Sequence, residues 1–118
     1  YGTGWNAMWA VLNAKFGPGM PWAEALLKTG DAFLLKHDSI EGRDKVWSDN
    51  SDGEGANWLG VQLMLIRDQL SGNARWTDYI KGVFITESGG ARTPAKAAQW
   101  QDTVRRARVA LLDKLERG

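Results

Sequence analysis

Cysteine is absent from this sequence, and histidine occurs once, as His37. Disulfide bonds, thiolate metal ligands and a thiol nucleophile are therefore excluded, and a metal centre built from several histidines cannot form. We accordingly expect no metal and no cofactor. Proteins without cysteine occur in oxidising and reducing compartments alike, so the redox environment stays open.

Long apolar runs are also missing. No stretch approaches the roughly 18 uninterrupted apolar residues that a membrane-spanning helix requires. The N-terminus lacks the basic start and the small-residue cleavage site of a secretion signal. We therefore expect no membrane partner and a cytoplasmic location. The 118 residues, 43% hydrophobic and 25% charged, suffice for one globular domain with a single core.

A large excess of charge of either sign is absent, since the formal net charge is +1. The whole molecule therefore exerts no general attraction on nucleic acid or anionic membranes. Only the last quarter of the chain is basic, through Arg92, Lys96, Arg105, Arg106, Arg108, Lys114 and Arg117. Without a nucleic-acid motif, this pattern favours the solvated face of a helix over a phosphate-binding surface.

Apolar residues recur at helical spacing near the N-terminus, at Trp5, Met8, Trp9, Leu12 and Phe16. They predict a first helix over about residues 4–16, which a Gly-Pro-Gly sequence then stops. A second helix is predicted to begin at Pro21 and end at Gly30. Asp31 is then expected to cap a short third helical turn through Leu35.

The middle of the chain combines a polar segment with an apolar one. Residues 36–56 are polar and glycine-rich and predict a loop, long enough to be functional or mobile. A helix from about Asn57 to Leu70 follows, apolar around most of its circumference and therefore central.

The C-terminal part carries weaker signals and one strong one. We expect a short helix near residues 76–80, a strand over residues 83–86 and a possible joint at residues 89–90. Thr93 and Pro94 predict the start of a final amphipathic helix. The predicted fold is mainly α, with at most a minor strand pair, in a single domain over residues 1–118.

Three short blocks occur in a fixed order. They are the segment Ala25-Leu-Leu-Lys-Thr-Gly-Asp-Ala-Phe-Leu-Leu35, the segment Asp44-Lys-Val-Trp47, and the segment Gly55-Ala-Asn-Trp-Leu-Gly-Val-Gln-Leu-Met-Leu-Ile-Arg67. This order resembles the second half of the pattern of the NADAR (YbiA-like) family. With upstream matches from Met8 to Phe16, the resemblance covers about residues 5–70, and residues 71–118 form an extension.

The sequence also departs from the family. The Ser-Glu-His segment, whose glutamate is regarded as the family's catalytic carboxylate, is not found here. A few extra residues separate Leu35 from Asp44, and Ser48 stands where glycine is usual. The resemblance therefore implies a NADAR-like domain that is truncated, rearranged or completed by a second chain.

Asp44 and Trp47 are the strongest site candidates. A carboxylate beside an indole suits a sugar or base site, because the carboxylate can stabilise an oxocarbenium-like centre while the ring offers a stacking face. The alternative is an aspartate that caps a turn and a tryptophan that closes the core. Glu87, which follows the strand candidate, is a second catalytic candidate if the C-terminal residues replace the family's missing half.

Further ligand contacts are expected from Trp58, Asn57, Asp49 and Arg67. Trp58 offers a stacking ring, and Asn57 either caps the central helix or lies where its N–H groups face an anion. Arg67 must be paired or reach solvent, which favours a structural ion pair over a ligand contact. Asp49 begins an acid-rich stretch that lacks the spacing of a calcium-binding EF-hand.

The resemblance implies hydrolysis of an N-glycosidic bond in a phosphoribosylated or ADP-ribosylated small molecule, such as a riboflavin-pathway intermediate. The alternative is a non-catalytic module that binds a nucleotide-like ligand or a protein. The apolar central helix must also be covered. We expect the final helix to fold back onto it through Trp100, Val104 and Leu111, with a homodimer as the other possibility.

Overall fold

The computed structural model describes residues 2–117, with side chains from residue 4 onward. Its elements are, in chain order, α1 (Gly2–Lys15), α2 (Pro21–Leu27), α3 (Trp58–Ser71), α4 (Thr77–Val83), β1 (Phe84–Ile85), β2 (Gly90–Ala91) and α5 (Pro94–Arg117). The two strands pair antiparallel. A mainly helical fold with a minor strand pair is therefore confirmed. No helix within residues 2–117 has the length and apolarity needed to cross a bilayer.

The expected helical turn between Asp31 and Leu35 is wrong. The chain has no helix between Leu27 and Trp58. Instead, the Leu34 carbonyl and the Lys36 N–H hydrogen-bond to the side chain of Asn57. The backbone here satisfies its polar groups through a distant amide, so a local helix is not required.

The α3 helix is the centre of the molecule, as its apolar circumference predicts. It contacts α1, α2 and α4. Most of its residues are buried, and its apolar residues Val61, Met64 and Leu65 share one core cluster with the described residues Trp5, Ile80, Val83, Phe84, Trp100 and Val104. A second cluster joins Leu12, Leu26 and Ile66.

The final helix does fold back onto this core. Trp100 and Val104 are buried in the α3 cluster, and the Trp100 indole donates to the Ala56 carbonyl at 2.7 Å. The predicted Thr93 cap is confirmed, because Thr93 Oγ1 accepts from the Lys96 N–H at 3.1 Å. Leu111 is half-buried and belongs to neither cluster. The covering contact is therefore confined to the first turns of α5.

The strand pair forms a tight hairpin against α1. The Trp5 indole donates to the Thr86 carbonyl at 2.7 Å. Gly89 has φ +79°, and a Cβ atom there would lie 2.5 Å from the Trp5 ring and 2.8 Å from the Trp58 ring. The expected joint at Gly89 is therefore a close packing contact inside the hairpin turn.

Candidate functional site

The loop between Lys36 and Ala56 is organised by the buried carboxylate of Asp49. Its Oδ1 accepts from the N–H groups of Asp38 at 2.9 Å and Ser51 at 2.8 Å. Its Oδ2 lies 2.6 Å from Nδ1 of His37. Burial acts to raise the pKa of Asp49, but the hydrogen bonds from His37, Asp38 and Ser51 outweigh it and hold that pKa below its ordinary value. Asp49 is therefore a structural anion of the loop.

The side chain of Asn57 hydrogen-bonds the backbone of residues 34–36 to the start of α3. Its Oδ1 accepts from the Lys36 N–H at 2.9 Å, and its Nδ2 donates to the Leu34 carbonyl at 2.9 Å. The residue is fully buried and has a left-handed backbone with φ 55°. Its side chain makes no capping bond to α3. The expected helix cap is therefore wrong, because the amide is used by a segment more than twenty residues earlier in the chain.

Asp44 folds a local turn that presents Trp47. One carboxylate oxygen, Oδ1, accepts from the N–H groups of Val46 at 3.1 Å and Trp47 at 2.8 Å. The Ser48 hydroxyl donates to the Asp44 carbonyl at 2.8 Å. The spacing of the Asp-Lys-Val-Trp block thus has a structural cause, since the carboxylate reaches the N–H three residues later. Oδ2 takes no part in these bonds and remains for other partners.

The same turn occupies the N–H groups of residues 56–59, which run from just before α3 into its first turn. These groups donate to loop carbonyls in four pairs: Ala56 to Lys45 (2.9 Å), Asn57 to Ser48 (3.1 Å), Trp58 to Val46 (3.0 Å) and Leu59 to Trp47 (3.3 Å). Orphan N–H groups are what makes a helix N-terminus attractive to an anion. This arrangement argues against a phosphate at the start of α3.

A shallow cavity lies beside the turn. It measures about 510 Å³ and is lined by Gly4, Arg43, Asp44, Lys45, Val46, Trp47 and Trp58, and we call it the Asp44 cavity. The Trp47 and Trp58 rings meet edge to face, with centroids 5.4 Å apart and an interplanar angle of 80°. A carboxylate and two indoles therefore share one concave surface. Asp44, Trp47 and the first residue of α3 thus line one cavity, and their role as a ligand site stays a prediction.

A neighbouring cavity of about 440 Å³ shares Lys45, Val46 and Trp58 with the Asp44 cavity and extends to Gly89 and Gly90 of the hairpin. Glu87 lies in the turn of that hairpin and is exposed. It lines neither cavity among the described residues. The hairpin nevertheless brings its backbone close to Trp58, because Gly89 packs on that ring.

Arg67 lies apart from the cavity. Its Nη1 donates to Thr29 Oγ1 at 2.8 Å, while its buried Nη2 has no hydrogen-bond partner among the described residues. Burial lowers the pKa of Arg67. The expected ion pair is wrong, since none of the ion pairs in the described part of the chain includes this guanidinium. Arg67 therefore joins α3 to the end of α2 through a hydroxyl.

The structure thus brings together Asp44, Trp47 and Trp58, and it uses Asn57, Asp49 and Arg67 in internal contacts away from the cavity lining. Two charged lining residues, Arg43 and Lys45, were not predicted from the sequence. Their only sequence signal is that they flank Asp44. Both line the same cavity as Asp44, and Arg43 Nη1 also lies 3.9 Å from Asp38 Oδ1.

The basic residues of α5 are largely paired. Arg105 contacts Glu54 at 2.5 Å, Arg106 contacts Asp102 at 2.8 Å, and Arg117 contacts Asp113 at 3.2 Å. Arg108 donates to the Ser51 carbonyl. These partners support the interpretation of α5 as a solvated helix whose inner arginines hold the loop.

Comparison with known proteins gives partial matches. No family model matches the chain, and no solved structure matches it. A riboflavin biosynthesis protein of Vibrio vulnificus is 39% identical over 64 residues, covering 54% of this chain and 17% of that protein. N-glycosidase YbiA of Shigella boydii is 36% identical over 66 residues, covering 56% of this chain and 39% of that protein. The chain therefore spans well under half the length of these relatives, and its resemblance to the YbiA-like (NADAR) proteins is confirmed over about half of its own residues.

Proposed function

We propose that this chain is an N-glycosidase-like module whose site is the Asp44 cavity, and that its ligands are phosphoribosylated or ADP-ribosylated small molecules. The observation that carries this proposal is the meeting of Asp44, Trp47 and Trp58 in one cavity. Relatives named as an N-glycosidase and as a riboflavin biosynthesis protein support the same reaction class.

The chemistry follows from the geometry of Asp44. Hydrolysis breaks the bond between the sugar C1 and the nitrogen, adds water oxygen to C1 and delivers a proton to the leaving nitrogen. Positive charge develops at C1 as that bond breaks. Asp44 is oriented through Oδ1 by two backbone N–H groups, so Oδ2 is held ready to stabilise this charge or to accept a proton from the water.

The other lining residues have distinct roles in this proposal. The Trp47 ring, which is half-buried, provides a surface for the flat leaving base. Arg43 and Lys45 place positive charge where the ligand phosphate would lie. Glu87 is the candidate for the second carboxylate, which would protonate the leaving nitrogen from the hairpin side of Trp58.

A binding module without turnover is the second candidate. Its supporting observation is that Asp44 is the one acidic residue in the described lining of the cavity. Glycosidases of the common kind use two carboxylates that flank the scissile bond. If Glu87 does not reach the ligand, binding would remain while hydrolysis would be lost.

The test is an assay for sugar release. The purified chain is incubated with a phosphoribosylated pyrimidine precursor of riboflavin and, separately, with an ADP-ribosylated guanine nucleotide. We expect release of ribose 5-phosphate or ADP-ribose, and a loss of at least about 100-fold in Asp44→Asn, a typical loss for an acid–base group. This variant keeps the Oδ1 acceptor for the turn and removes the charge. Release at the same rate in wild type and Asp44→Asn would refute the assignment.

A thermal-shift measurement with ADP-ribose separates the two candidates. A ligand at a hundred times its Kd adds about 2.7 kcal/mol to the free energy of unfolding. Stabilisation without sugar release would identify a binding module. No stabilisation and no release would remove both candidates.

A further inference from the structure

A separate cavity lies along the second half of α3. It measures about 340 Å³ and is lined by Trp9, Leu65, Gln69, Asn73, Thr77, Lys81 and Thr86, and we call it the Trp9 cleft. It shares no lining residue with the Asp44 cavity. Leu65 and Gln69 lie about 10 and 16 Å beyond Trp58 along the helix axis, at 1.5 Å per residue. The two cavities are therefore distinct.

The apolar part of the cleft comes from Trp9 and Leu65. Trp9 is half-buried on α1 and packs against both core clusters, which holds its ring in place. None of the aromatic pairs among the described residues includes Trp9. Leu65 is buried and lines the cleft as an apolar neighbour. A fixed indole beside an aliphatic side chain suits a planar ring.

The polar part of the cleft has groups available for a ligand. Lys81 is exposed on α4, and no ion pair within the described part of the chain involves its ammonium. The side chains of Gln69 and Thr86 take part in none of the hydrogen bonds described for residues 4–117. Asn73 and Thr77 are already engaged, with Arg75 and Asp68 respectively. A cation, an amide and a hydroxyl thus surround the apolar part.

We propose that the Trp9 cleft binds a small ligand composed of a planar heteroaromatic ring and an anionic group, of the size of a nucleoside monophosphate. The ring lies against Trp9, its polar edge meets Gln69 and Thr86, and the anion meets Lys81. The volume of about 340 Å³ is near the lower end of the roughly 300–1,000 Å³ seen for small-molecule sites, which favours one nucleotide over two. This proposal does not depend on the function of the Asp44 cavity.

The probe is guanosine monophosphate, and its Kd is measured by calorimetry. We expect Lys81→Gln to weaken binding roughly tenfold, because it removes a charge-assisted contact to the phosphate. The wild type should bind guanosine about as weakly as Lys81→Gln binds guanosine monophosphate. Lys81→Gln should not weaken guanosine binding further, since guanosine has no phosphate for the cation to contact. Lys114→Gln is the matched control. Lys114 is exposed near the end of α5 and lines neither cavity, so its loss should leave the Kd within about twofold.

Three results would overturn the proposal. One is the absence of saturable binding at millimolar guanosine monophosphate. Another is an equal loss in Lys81→Gln and Lys114→Gln, which would indicate a general charge effect. The third is a loss in Lys45→Gln with none in Lys81→Gln, which would place the nucleotide in the Asp44 cavity. All three lysines are exposed, and circular dichroism checks that each variant is folded.

Discussion

Gly60 on α3 lies against the carbonyl oxygen of Leu34, so close that a Cβ atom on residue 60 would be 2.0 Å from that oxygen. The same atom would be 2.5 Å from the side-chain nitrogen Nδ2 of Asn57. Because residue 60 has no side chain, the backbone at Leu34 can contact the start of α3. A glycine in a helix otherwise lowers stability relative to alanine, so its presence here has a packing reason.

We therefore predict that Gly60→Ala destabilises the protein by at least about 3 kcal/mol, because a backbone oxygen must move. Gly82→Ala is the matched control. Gly82 also lies in a helix, and a Cβ atom there would meet nothing within 4 Å. That change should stabilise by about 0.5–1 kcal/mol. Urea denaturation measures both, and equal effects would contradict the close approach.

A second prediction concerns the side chain of Asn57. Asn57→Ala leaves the Lys36 N–H and the Leu34 carbonyl without their partner and should cost about 2–4 kcal/mol. Asn57→Gly also loses both bonds but accepts the left-handed backbone, so it should be about 1 kcal/mol more stable than Asn57→Ala. Asn73→Ala, at an exposed asparagine, should cost much less. If the Asn57 and Asn73 variants have the same urea midpoint, the two hydrogen bonds of the Asn57 side chain do not stabilise the fold as predicted.

The third prediction is a pH dependence. The pKa of Asp49 is lowered in the folded protein, so the folded state binds this proton less tightly than the unfolded state. The stabilisation is therefore fully present above the ordinary aspartate pKa of about 4 and is lost as the pH falls below it. At pH 7 Asp49→Asn should be clearly less stable than the wild type.

That difference should shrink when unfolding is measured at about pH 3. Asp113→Asn, which removes an exposed carboxylate of α5, is the control and should change stability little at either pH. A difference between Asp49→Asn and wild type that stays constant from pH 7 to pH 3 would contradict the lowered pKa.

The fourth prediction concerns the covering of α3. Val104 is fully buried and Leu111 is half-buried. Val104→Asp should unfold the protein, because it buries an unpaired charge, whereas Leu111→Asp should cost about 1–2 kcal/mol. Thermal denaturation compares them. Sedimentation of Leu111→Asp also tests assembly, since a dimer held through this part of α5 would dissociate into folded monomers.

Local signals predicted the fold well where they are strong. Pro21 begins α2 and Thr93 with Pro94 begins α5, because proline geometry and a hydroxyl cap act within a few residues. The wrong helical turn after Asp31 and the wrong cap at Asn57 have one common cause. The amide of Asn57 bonds to residues 34 and 36, and such long-range partners leave no periodic pattern in the sequence.

The site was predicted only in part, again because contacts between distant segments leave no local pattern in the sequence. Asp44 and Trp47 belong to one turn, so their spacing carries the information. Arg43 and Lys45 line the cavity only because the loop folds against α3. Asp49 resembles a ligand residue in the sequence, but folding buries its carboxylate inside the loop.

The most direct test of the central claim is an indole NMR titration with ADP-ribose. Each of the seven tryptophans carries one indole N–H, and single Trp→Phe variants assign the signals of Trp47 and Trp58. We predict saturable shifts of the Trp47 and Trp58 signals, because both rings line the Asp44 cavity. Unchanged Trp47 and Trp58 signals at millimolar ADP-ribose would contradict the assignment of the Asp44 cavity as the ligand site.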